Sequence, residues 1–142
     1  MNVKDIMTSN VVTLKAEDSI EKAAQCMKRY DIGSVPVCSE NKVVGIVTDR
    51  DIALRSVSQG KNVKNQTVRE IMSSNPVVVQ SNTDINKASS LMSERQIRRL
   101  PVVEGNNIVG MVSLGDIAVQ PKLQNEAGDA LSDISEPASP TL

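Results

Sequence analysis

The chain has 142 residues, 39% of them hydrophobic and 23% charged, with a net charge of −1 and no histidine, tryptophan or phenylalanine, which is ordinary usage for a compact globular core. Without histidine the commonest general base and metal ligand are missing, and two cysteines alone do not make a four-ligand zinc site, so triad and metal chemistry are poor expectations. Neither a secretory h-region nor a twenty-residue apolar run is present, so the expected location is cytoplasmic, with no membrane partner.

Residues 3–53 align without a gap onto residues 68–118 at a constant offset of 65, with 20 identities in 51. A repeat this long in only two copies predicts two similar lobes packed face to face, with function at their interface or in paired clefts. Each copy opens on a helical turn, because Asn2 and Thr67 stand three residues ahead of Asp5 and Glu70, the spacing of a capping box. Val11, Val12 and Leu14, matched by Val77, Val78 and Val79, predict short strands. Asp18 or Ser19, and Thr83 in the second copy, are the expected caps of two helices. Their apolar residues, Ile20, Ala23, Ala24 and Met27 and then Ile85, Ala88 and Met92, share one face and read as core. Cys26 and Cys38 align with Leu91 and Val103, so they also read as core rather than as a redox pair.

Further along, Ser34 to Cys38 and Leu100 to Val103 predict strands that each contain a proline. Pro36 and Pro101 lack a ladder donor, which places them at an edge or near a strand start. Turns at Asn41–Lys42 and Gly105–Asn107 lead into VVGIVT and IVGMVS, the second strands of hairpins, which run straight into helices near Asp51 and Asp116. The repeat thus reads as β-α-β-β-α with a helical lead-in: 1–55 the first motif, 56–66 a linker, 67–119 the second motif. Residues 120–142 carry 1 Lys/Arg against 4 Asp/Glu. This acidic tail is expected to be largely disordered, with room for a short helix near 125–134, and to be dispensable for ligand binding.

The strand ends carry the chemistry. A strand that finishes in Thr48 or Ser113 and turns into a helix offers a hydroxyl and free backbone donors, where anions are favoured. One turn on, Asp51 or Asp116 can accept two hydrogen bonds from a ribose diol, since an ionised carboxylate only accepts. The same residues also fit plain helix caps.

These endings, GIVTDRD (Gly45 to Asp51) and GMVSLGD (Gly110 to Asp116), resemble the adenosine-binding signature of tandem CBS domains, the family named after cystathionine β-synthase. The opening DIM and EIM, the methionine-bearing helix and the proline strand extend the resemblance over about 118 residues. It implies an α+β, sandwich-like fold of two CBS motifs packed with pseudo-two-fold symmetry, a Bateman module of the small stand-alone bacterial type. It also implies a regulatory sensor of AMP, ADP or ATP that needs no cofactor. The ligand-binding residues carried over are Val12, Ser34, Val35, Pro36, Thr48, Arg50 and Asp51 in one cleft. In the other they are Val77, Arg98, Arg99, Leu100, Pro101, Ser113, Gly115 and Asp116. With almost no aromatic residues, the base must lie between aliphatic side chains and be read by backbone groups, which leaves the particular adenosine ligand unspecified.

The two clefts differ in charge. Asp49 and Arg50 in the first turn face Leu114 and Gly115 in the second, and Gly33-Ser34 stand where the second copy has Arg98-Arg99, so affinities should differ and the arginines are candidates for neutralising phosphate. Enzymatic readings lack their parts: there is no G-x-x-x-x-G-K-[ST], G-x-G-x-x-G or G-x-S-x-G, and the Asp49/Asp51 pair sits on a turn where one carboxylate faces the cleft. A binding protein is therefore expected, with no catalytic residues and no metal. The alternative is a nucleic-acid- or protein-interaction module, for which Arg50, Arg55, Lys61, Lys64, Arg69, Arg95, Arg98 and Arg99 speak; interspersed acids and missing aromatic platforms speak against it. A homodimer is expected because Ile52, Leu54, Val57, Ile117 and Val119 look exposed, and an effector protein in trans is expected as the output.

Overall fold

The computed structural model describes residues 1–137, and its chain divides into two compact units that do not coincide with the two sequence repeats. The first unit takes Val12–Pro76 with Asn106–Ile108; the second takes Met1–Val11, Val77–Gly105 and the chain from Val109 on. Each repeat's lead-in thus belongs to the unit built on the other repeat's motif.

In the first unit the order is β1 (Leu14–Lys15), α1 (Ile20–Tyr30), β2 (Ser34–Ser39), β3 (Lys42–Thr48), α2 (Asp49–Arg55) and β4 (Ser73–Ser74). β2 pairs parallel with β1 and antiparallel with β3, and β4 adds to β3 at Gly45↔Ser74. Pro36 sits in an inner strand, but β1 starts opposite Val37, so the missing N–H of Pro36 falls beyond the end of its neighbour, which is how a proline is accommodated inside a sheet. Ser19 caps α1, accepting from Lys22 N at 3.1 Å. The buried face of α1, Ile20, Ala23 and Met27, meets Val35, Val37 and Val47 from the sheet. Val68 and Ile71 of the lead-in complete this core, held by Val68 N to Asp18 O at 2.8 Å and Arg69 N to Ala16 O at 3.0 Å.

The second unit repeats the plan with β5 (Val79–Gln80), α3 (Ile85–Arg95), β6 (Arg99–Glu104), all but the first two residues of β7 (Asn107–Ser113), and α4 (Leu114–Ala118). Here Val3 enters the core, and its N–H donates to Thr83 O at 2.9 Å. Both lead-ins are 3₁₀ turns, Val3–Asp5 and Val68–Glu70, with the expected capping-box bonds from Asn2 N to Asp5 Oδ2 (2.8 Å) and Thr67 N to Glu70 Oε2 (2.7 Å).

The mixed α+β fold and the repeated β-α-β-β-α order are as expected; several details differ. The first strand of each motif is only two residues long, and Val11, Val12, Val77 and Val78 precede it outside any strand. α3 is capped by Asp84, which accepts from Asn86 N at 2.8 Å, rather than by Thr83; Asp84 is the residue aligned with Ser19. In the tail the short helix near 125–134 is present, and the correction falls on the expectation of a largely disordered segment. Gln124–Ser135 form a twelve-residue helix, α5, which packs on α3 and α4 and places Leu123, Ala127 and Ala130 in the second core. Burial of these residues, with Ile134 against the same cluster, offsets the ordering entropy that the acidic composition suggested it could not. Ile117, expected at the surface, is fully buried in that core. Residues 138–142 lie outside the described residues.

Candidate functional site

Each motif glycine exists because a lead-in crosses over it. A Cβ on Gly45 would stand 2.5 Å from Met72 Sδ and 3.0 Å from Ser73 O, and one on Gly110 would meet Met7 Sδ at 2.5 Å and Thr8 O at 2.9 Å. Beyond the crossing, β3 and β7 run on to Thr48 and Ser113, where the chain turns into α2 or α4.

In the first unit, Thr48 Oγ1 accepts from Asp51 N at 3.1 Å, while Asp51 Oδ2 accepts from Thr48 N at 2.9 Å. The capping reading of this pair is therefore realised. It commits one carboxylate oxygen to the backbone; the other, Oδ1, stands 3.9 Å from Arg55 Nε. Ser34 lies opposite Thr48 in the ladder, and its hydroxyl oxygen is buried with no hydrogen-bond partner. Such an orphan is uncommon in a native interior. Val35 and Pro36 are buried behind it, Val12 packs against the core, and Arg50 is exposed. Asp49 N donates to Gly33 O at 3.0 Å. The Asp49 carboxylate accepts from Arg50 N at 2.8 Å, and its Oδ2 lies 3.1 Å from where a Gly33 Cβ would stand. Gly33 thus leaves room for the Asp49 carboxylate beside it.

The second unit reproduces the skeleton. Ser113 Oγ accepts from Asp116 N at 3.1 Å and Asp116 Oδ2 accepts from Ser113 N at 2.8 Å. Leu114 N donates to Arg98 O at 2.8 Å, the counterpart of the Asp49 to Gly33 bond. Leu114 is buried where Asp49 is exposed. Arg98, Arg99, Ser113 and Gly115 come together on one cavity of about 560 Å³, whose far side is formed by α5 through Gln124, Ala127, Gly128 and Leu131. Val77, Leu100, Pro101 and Asp116 do not line that cavity; Leu100 and Pro101 are buried behind it, and Val77 packs on the core. The sequence leaves room for a short helix near 125–134 but does not place it on this cavity, although Ala127, Ala130, Leu131 and Ile134 follow a helical i, i+3, i+4, i+7 spacing that signals an amphipathic face.

Both cysteines are free, Cys38 buried and Cys26 half-buried. Burial pushes the Cys38 thiol up; burial also pushes the Cys26 thiol up, against the opposing pull of Lys22 and Arg29. Neither environment favours a reactive thiolate. No helix among the described residues is long and apolar enough to cross a membrane.

Comparison with known proteins agrees with this geometry. The family model described as CBS domain matches residues 3–58 and 68–120. The CBS domain-containing protein YhcV of Bacillus subtilis is 44% identical over 134 residues, covering 94% of this chain and 95% of its own. A crystal structure of Hypoxic Response Protein I with two coordinated zinc ions superposes with a TM-score of 0.79 at 31% identity, over 84% of this chain and 98% of the other. The CBS domain pair of protein MJ0100, solved in complex with 5-methylthioadenosine and S-adenosyl-L-methionine, superposes with a TM-score of 0.75 at 32% identity, over 83% and 93%.

Proposed function

This chain belongs to the CBS-domain family, with two CBS domains at residues 3–58 and 68–120, and from that premise we propose that it is a regulatory sensor that binds adenosine compounds and acts on a partner in trans. The observation that carries the reading is the pair of matching carboxylates. Asp51 and Asp116 each have one oxygen fixed by the backbone of the residue three positions earlier, at 2.9 and 2.8 Å, which holds the other in a set direction for a ribose diol. The orphaned Ser34 hydroxyl beside the first of them and the complex of the related MJ0100 pair with two adenosine compounds support it. Val12, Ser34, Val35, Pro36, Thr48 and Arg50 would complete the first cleft; Val77, Arg98, Arg99, Leu100, Pro101, Ser113 and Gly115 would complete the second. AMP, ADP or ATP is the ligand we assign, with binding rather than catalysis as the activity and the cytoplasm as its place. Zinc is not carried over from the related structure: the chain has no histidine, and the described residues gather no three His, Cys, Asp or Glu side chains that could hold a metal.

We assign a homodimer to the open face of the first unit. Between α1 and α2 lies a groove of about 290 Å³ whose walls include Ile20, Ala24, Ile52 and Val63, with Leu54 and Val57 on the same helical stretch 50% and 63% exposed. On α1, Glu21 and Lys28 flank the small Ala24, so two copies related by a two-fold axis would set Glu21 against Lys28 of the other copy at both ends, a self-complementary pattern. Calorimetry on protein stripped of co-purified ligand tests the main reading: adenine nucleotides bind and guanine nucleotides bind much more weakly. A stripped wild-type protein that binds no adenosine compound refutes it.

A further inference from the structure

The repeat makes an internal control for the α1–α2 groove of the first unit. In the second unit α5 packs on the matching face of α3 and α4. Ser89 and Ile117 are buried there, whereas their counterparts in the first unit, Ala24 and Ile52, are exposed and half-buried. The first unit leaves an open groove of about 290 Å³, whose walls include Ile20, Ala24, Ile52, Val57 and Val63. The second unit shows that this face of the motif can seat a helix; the first leaves it uncovered.

How a helix lies on this face follows from α5. Ser89 Oγ donates to Glu126 O at 3.2 Å, and Gln96 Nε2 donates to Asp133 O at 3.0 Å, so α5 runs parallel to α3 in a register of 37 positions. In charge it is poorly matched to its own unit. Glu126, Asp129 and Asp133 share a cavity of about 500 Å³ with Asn86, Glu94 and the serines of α3, and no cation lines it; Glu126 Oε2 is buried with no hydrogen-bond partner. At the same positions of α1 the first unit has cations: Lys28 stands for Ser93 and Arg29 for Glu94, both exposed. The ion pairs among the described residues use neither. Gln96 is matched by Asp31, which offers no donor, so the complementarity lies at Lys28 and Arg29. An apolar groove with two exposed cations at one end suits an amphipathic helix that carries carboxylates beside its apolar face, and complementary charge sets both partner choice and register.

We propose that the α1–α2 groove of the first unit docks an acidic amphipathic helix of the effector protein. The helix lies parallel to α1 in the register that α5 takes on α3, with carboxylates at Lys28 and Arg29 and small apolar residues over Ala24 and Ile52. The inference rests on the reading that the output goes to a partner in trans, and it names that partner's chemistry. Because two copies of this chain pair through the same groove, docking of the helix splits the homodimer.

The test uses the full-length protein without nucleotide and, as probe, a fluorescent, helix-stapled peptide of residues 121–136, PKLQNEAGDALSDISE. In this protein α5 already covers the second unit's face, which leaves the first unit's groove for the peptide. Anisotropy should show saturable binding, and light scattering at saturating peptide should fall from the dimer mass to that of one chain with one peptide. Ala24→Glu, at an exposed position, should abolish binding. Lys28→Glu with Arg29→Glu should weaken it about tenfold, as two surface charge pairs turn repulsive, and by less as salt rises. A peptide with Glu126→Lys, Asp129→Lys and Asp133→Lys should show the opposite preference, binding the Lys28→Glu/Arg29→Glu protein more tightly than the wild type. The proposal is overturned if the stapled peptide does not bind, if these variants bind it as the wild type does, which would mean exchange with α5 in the second unit, or if the dimer persists at saturating peptide, which would leave the groove to a second copy alone. Failure of the sensor reading is a separate result: calorimetry then shows no adenosine compound bound, whatever the peptide does.

Discussion

The two units share one skeleton and differ in what covers it. Around Thr48-Asp51 and Ser113-Asp116 the hydrogen bonds agree to within about 0.1 Å. Beside them, the first unit leaves the α1–α2 face open and puts an exposed carboxylate, Asp49, where the second unit buries Leu114 next to α5. Duplication thus explains the shared turns, and the segment after the second repeat adds what only one unit has.

Removing residues 121–142 is the strongest way to break the comparison. It strips Leu123, Ala127 and Ala130 from the second core and uncovers Leu114 and Ile117. Losing a buried leucine alone costs about 2–5 kcal/mol, so urea denaturation should show a loss of about 3 kcal/mol or more. The tail, expected from composition to be largely disordered, is thus part of the fold; wild-type stability in the truncated protein would mean that α5 contributes nothing to it.

A change at the motif glycines should strike both units alike. Gly45→Ala and Gly110→Ala force a Cβ against a flexible methionine and also against a backbone oxygen, Ser73 O or Thr8 O. Overpacking of this kind costs about 1–3 kcal/mol. Chemical denaturation should give similar losses for the two, and a silent variant at either site would show that the lead-in there is loosely held.

Asp51→Ala and Asp116→Ala sharpen the comparison by isolating one cleft at a time. Each removes a cap, for about 1 kcal/mol of stability, and the proposed acceptor for a ribose diol, for about 1–3 kcal/mol of affinity. Calorimetry should then show one class of sites lost in each variant, with different affinities remaining. Identical residual isotherms would remove the functional asymmetry.

Assembly gives a smaller signal. Ala24→Glu at the centre of the α1 face should shift the protein from dimer to monomer in light scattering, whereas Ser90→Glu on the α3 helix should not. A wild-type mass near 15.3 kDa at micromolar concentration would refute the dimer outright.

The cysteines should matter least. Cys38→Val places in the first copy what the second already has at Val103, a near volume-conserving change expected to cost under about 1.5 kcal/mol. Because burial pushes both thiols up, alkylation near pH 8 should lag behind that of a free thiol and accelerate as pH rises. Half-buried Cys26 should react before Cys38. Fast labelling of Cys38 at neutral pH would contradict the packed β2 strand.

Local patterning by itself determined a great deal here. The offset of 65 gave the element order twice, the alternation and spacing of apolar residues marked the cores, and the capping residues marked where helices begin, because each of these signals acts between residues a few positions apart. The paired caps were legible for the same reason: Thr48 and Asp51, or Ser113 and Asp116, bond across three positions. Long-range contacts decided the rest. The sequence could not say that Val3 would join the core of the other repeat's motif, or that Gly45 and Gly110 are small because Met72 and Met7 cross above them, since these partners lie 27 and 103 positions away. Nor did acidic composition reveal α5 as the wall beside Arg98 and Arg99. Its few apolar residues suffice only because α3 and α4 supply a complementary face, and that face exists only once the second unit has folded.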